Sequence, residues 1–99
     1  MSSPSNEIPL TEVYAIFLFP NTHFAIQAER VAHKHFPERG IRLIPLPPEV
    51  SAGCGMVLRT AYEDASQVLY LLHDENVSIE AYYTLRIVDH KRQIEPLTI

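Results

Sequence analysis

A two-layer α/β (α+β) fold, a ferredoxin-like split βαβ sandwich, is what this sequence predicts, and three observations predict it. Apolar runs bounded by prolines and glycines alternate with segments of helical spacing, in the order strand, helix, strand, strand, helix, strand. The second and third strands are joined by a proline-rich loop rather than a helix, so the pattern is βαββαβ. Each helical segment carries one apolar stripe, which suits two helices packed on one face of an antiparallel four-stranded sheet. Right-handed crossovers then put the first and third strands at the centre.

The first strand is the run VYAIFLF from Val13 to Phe19, continuously apolar and stopped by Pro20, as a buried central strand should be. Asn21 and Thr22 are N-cap residues directly after that stop. Phe24, Ala28, Val31, Ala32 and His35 or Phe36 then repeat at helical spacing until Pro37 and Gly40 end the helix. Ile41 to Ile44 is a short second strand closed by Pro45. From Pro45 to Gly55 regular structure is excluded, because Pro45, Pro47 and Pro48 remove ladder donors and Gly53 and Gly55 loosen the backbone. Met56 to Thr60 reads as the third strand. Glu63 and Asp64 favour a helix start, and Ala65, Val68, Leu69 and Leu72 form the stripe of the second helix. Ile79 to Val88 alternates as a fourth strand, with Ala81, Tyr83, Leu85 and Ile87 on one side and Tyr82, Thr84 and Arg86 on the other.

The domain is expected over residues 12–88, between a mobile N-terminal lead-in (1–11) and a polar C-terminal tail (89–99). Ninety-nine residues leave no room for a second domain. A net charge of −4 argues against a nucleic-acid binder that works by neutralising phosphates. No apolar run approaches the roughly 18 residues of a membrane span, and the N-terminus lacks the basic and apolar regions of a signal peptide. A cytoplasmic protein is expected, with neither nucleic acid nor membrane as partner.

One cysteine excludes an internal disulfide and a cysteine-rich metal site, and neither a metal nor a cofactor is expected. That cysteine, Cys54, lies between Gly53 and Gly55, which cannot shield its sulfur and permit backbone N–H groups to converge on it. The plain alternative is a small buried hydrophobe. Connectivity predicts that Cys54 meets Asn21, Thr22 and His23 at one edge of the sheet, about thirty residues away in sequence. There the first helix N-terminus, and His23 if protonated, would favour the thiolate, with Asn21, Thr22, Gly53 and Gly55 as anion contacts. Arg42, Arg59 and Arg86 each sit between strand neighbours and form a candidate separate anion patch on the helix-free side, or simply a solvated face. Arg59 is about 16 Å along the strand from Cys54 and does not activate it.

Four segments carry a family resemblance: YAIFLFPNTH from Tyr14 to His23, Ala28 with Glu29, RLIPLP from Arg42 to Pro47, and SAGCGMVLR from Ser51 to Arg59. They resemble the Se/S carrier protein-like family, small bacterial and archaeal proteins formerly catalogued as a domain of unknown function. The likeness runs from about Tyr14 to Arg86. It implies that Cys54 is the carrier thiol and that the turn from Pro20 to His23 belongs to the same site. The Cys-Pro-x-Pro motif of other small sulfur-relay proteins is missing.

The resemblance implies a carrier that holds a persulfide or selenosulfide on one exposed cysteine and hands it on. Its partners would be sulfur or selenium donor and acceptor proteins. Lack of a second cysteine suits that role, since a neighbouring thiol would discharge the persulfide as a disulfide. A carrier or binding protein is expected rather than an independent catalyst. The alternatives are a small ligand-binding or regulatory module, with a homodimer formed through the sheet, and a thiol redox sensor acting through Cys54.

Overall fold

The computed structural model describes residues 11–99. The expected lead-in therefore lies outside the described residues except for Thr11, which already begins strand β1 (Thr11–Leu18). Helix α1 (Thr22–His35), β2 (Arg42–Pro45), β3 (Met56–Ala61), a 3-10 turn (Tyr62–Asp64), α2 (Ala65–Asp74), β4 (Ala81–Val88) and β5 (Lys91–Pro96) follow. The strands form one sheet in the order β2-β3-β1-β4-β5, with every neighbouring pair antiparallel.

The expected four-stranded sheet is thus corrected to five strands. β1 and β3 are interior neighbours as expected, but β1 alone is the middle strand. The added strand comes from the segment 89–99 that reads as a polar tail. Asp89 and His90 both have positive φ (51° and 69°), the backbone of a tight two-residue hairpin, and Val88 pairs with Lys91 directly beyond them. The usual Asn-Gly signature is missing, and Lys91, Arg92, Gln93 and Glu95 give the strand little apolar content. Charged residues suit a sheet edge, which they protect from further pairing. Leu97, just past β5, is buried in the helix-side core. Leu97→Ala should therefore cost about 2 kcal/mol. A lower urea midpoint at unchanged m-value would confirm it, and an unchanged midpoint would make the segment a true tail.

The unbroken apolar run of β1 reflects burial on both faces. Ala15 and Phe17 join Ala25, Ala28 and Ala32 of α1 and Val68 and Leu72 of α2 in the larger core. The three buried alanines let α1 lie close to the sheet. Ile16 and Leu18 point the other way, with Val57 and Leu85, into a second cluster on the helix-free face. Leu46, Val50 and Ala52 pack against that cluster. The β2–β3 loop therefore folds over the face without helices, and Glu49 reaches Arg92 on β5 at 3.3 Å. No helix is long and apolar enough to cross a membrane among the described residues.

Candidate functional site around Cys54

Antiparallel pairing brings the C-terminal end of β1 to the first residues of β3 and β4: Leu18 lies opposite both Val57 and Ala81. At this end the chain leaves β1 through Pro20 and enters α1. Asn21 caps the helix, its Oδ1 accepting the Phe24 N–H at 3.1 Å. The loop before β3 arrives under the same turn. Cys54 Sγ donates to Thr22 Oγ1 at 3.8 Å, a weak sulfur contact that joins residues 32 apart in sequence. Of the three neighbours expected from connectivity, Thr22 is the one whose contact with Cys54 is present.

Cys54 is nevertheless not exposed: 2% of its surface is accessible, and it belongs to the core cluster with Phe17, Phe19 and Ala25. This corrects the expectation of an open thiol. Flanking glycines do leave the sulfur unshielded by their own side chains, but here they let the loop press inward. A Cβ on Gly53 would lie 1.9 Å from the Pro20 carbonyl oxygen, so only glycine fits this approach, and it seats the next residue against the core. Gly55 has open space beside it. The Gly53 N–H does not turn toward the sulfur either; it donates to Glu80 Oε1 at 3.1 Å. Glu80 is itself fixed, its N–H donating to the Leu18 carbonyl at 2.7 Å. Sequence reasoning missed Glu80, because only the β1–β4 register places it beside the loop.

The remaining candidates separate. His23 is exposed and packs its ring edge against Phe24, 5.5 Å between centroids, with no hydrogen bond to Cys54. Asn21 spends its side chain on the helix cap. Arg42 and Arg59 are cross-strand partners on the helix-free face. Arg86 is not with them. It pairs in register with Val13, on the face that carries the helices, and lies 3.7 Å from Glu95. The expected grouping of three arginines on one face is therefore corrected, because the period of two along β4 sends Arg86 to the opposite side from Arg42 and Arg59. Among the described residues no cluster of three His, Cys, Asp or Glu side chains has the makings of a metal site.

A groove of ≈ 750 Å³ opens on the helix side at the same end of the sheet. Leu69, Tyr70 and His73 of α2, Val77 and Ile79 of the following loop and Tyr82 of β4 line it, with Tyr70 largely exposed. The sequence held no sign of it, since only the packing of α2, the following loop and β4 leaves this space between them. Ile79 adjoins Glu80, so the groove borders the residue that holds the Cys54 loop.

No curated protein and no solved structure matches the chain. A family described as "Putative Se/S carrier protein-like" matches residues 14–84, a span running from β1 into β4 that includes the Pro20 turn, Cys54 and Glu80. With well over half its length so matched, the chain belongs to the Se/S carrier protein-like family.

Proposed function

We propose that this chain carries sulfur or selenium as a persulfide or selenosulfide on Cys54. The observation that supports the reading is the family match across a chain with one thiol, seated at a helix N-terminus beside Thr22. In the loading step the Cys54 thiolate attacks the terminal atom of a donor persulfide, R–S–SH. The donor S–S bond breaks, R–S⁻ leaves, and Cys54–S–SH forms, so one sulfane sulfur moves with no net oxidation. Selenium follows the same course from R–S–SeH.

Burial of Cys54 makes loading conditional on movement of the 53–55 loop. Two contacts hold that loop shut: the Gly53 backbone against Pro20, and the Gly53 N–H on the Glu80 carboxylate. A donor or acceptor docked at this end of the sheet is well placed to displace the second. Glu80→Ala is accordingly expected to speed alkylation of native Cys54 by up to about tenfold, the equivalent of one charge-assisted hydrogen bond. Labelling followed by intact mass measures it, and an unchanged rate would remove Glu80 from the gate. The reading itself is tested by incubating the native chain with a low-molecular-weight persulfide, where a gain of one sulfur atom is expected.

The groove beside α2 favours a second reading, a small-ligand module. A ligand that raises the melting temperature of both the native chain and Cys54→Ser would support it over the carrier.

A further inference from the structure

We propose that Arg42 and Arg59 form a phosphate-binding site on the helix-free face, at the corner opposite Cys54. Arg42 on β2 lies directly across from Arg59 on β3, so both side chains rise from the same face at neighbouring positions. Like charges placed directly opposite repel, and nothing among the described residues offsets them by an ion pair: the described salt bridges engage Arg39, Arg86 and Arg92 instead. The arginine fork is also held in place. The Arg59 guanidinium lies 4.3 Å from the centre of the Tyr14 ring, a cation–π contact.

Glu12, the carboxylate of this corner, is engaged by the Tyr14 hydroxyl, which donates to it. That hydrogen bond, with burial, holds the Tyr14 hydroxyl protonated above its ordinary range, although Arg59 and Arg42 pull the other way. Both guanidinium groups therefore act on one small region. The ligand chemistry follows from the charge. A carboxylate neutralises one guanidinium, whereas a phosphate group carries close to two negative charges and enough acceptor oxygens for both forks. The site is independent of sulfur chemistry, since β3 runs away from Cys54 toward this corner.

Titration calorimetry with inorganic phosphate at constant ionic strength tests the assignment. Saturable binding is expected in the native chain, weakened about tenfold or more by Arg42→Gln and by Arg59→Gln. Arg86→Gln, which removes the same charge from the other face, should bind as the native chain does. Phosphoserine run in parallel separates a phosphate monoester from free phosphate as the better occupant, and tighter binding of either supports the site. Absence of binding, equal loss in all three variants, or acetate binding as tightly as phosphate would overturn it.

Discussion

Cys54→Ser abolishes sulfur loading while leaving the domain folded: this is the largest effect expected of any single substitution in the chain. The loss should be complete, because no other thiol exists to accept the sulfur. The fold should survive because the smaller serine side chain fits the same space, although the 3.8 Å that separates the sulfur from Thr22 Oγ1 is too long for a hydroxyl hydrogen bond. Without a partner the buried hydroxyl costs about 1–3 kcal/mol. Cys54→Ala, which buries no polar group, provides a second folded control. Native chain, Cys54→Ser and Cys54→Ala are incubated with a persulfide donor and read by intact mass, with circular dichroism confirming the fold. Loading retained in either variant, or absent from the native chain under conditions where Cys54 can be alkylated, would end the carrier reading.

Gly53→Ala should destabilise the domain by about 1–3 kcal/mol or more and at the same time open the Cys54 loop. The new methyl would lie 1.9 Å from the Pro20 carbonyl oxygen, and the atom it meets is backbone, which cannot rotate aside as a long side chain would. Something must give, and the loop from Ser51 to Cys54 lies outside the ladder, which resumes only at Gly55, whose carbonyl accepts the Leu46 N–H at 2.9 Å. Movement there carries Cys54 away from the core, so faster alkylation should accompany the lower urea midpoint. Gly55→Ala is the matched control, since its Cβ meets nothing within 4 Å. Equal stability and equal labelling in the two variants would mean that the Pro20 contact does not guard the thiol.

Much of the fold was legible because its signals are local. The apolar run of β1 ended by Pro20, the Asn21 cap and the stripes of both helices needed only near neighbours in sequence to be read. Even the meeting of Cys54 with Thr22 followed from connectivity, since a split βαβ order forces the β1 exit and the β2–β3 loop to one edge. β5 escaped because its hairpin uses Asp89 and His90 in place of a glycine turn and because an edge strand need not be apolar. The face chosen by Arg86 escaped for a different reason. Alternation along β4 separates its two sides, but which side meets the helices depends on pairing with β1, where Arg86 stands opposite Val13.

The candidate site divides along the same line. Residue type alone determined that one thiol is available, that it lies in a Gly-Cys-Gly loop and that a capped helix begins at Asn21. Family membership follows from that same pattern of residues. Only the tertiary structure decided that Cys54 is buried, that Gly53 beside it meets Glu80 and Pro20, and that Arg42 and Arg59 stand together without Arg86. Caps, strand stops and helical stripes are set by interactions between residues a few positions apart. Burial and long-range contacts are set by surfaces from distant segments, whose meeting depends on strand register and on how closely two backbones approach.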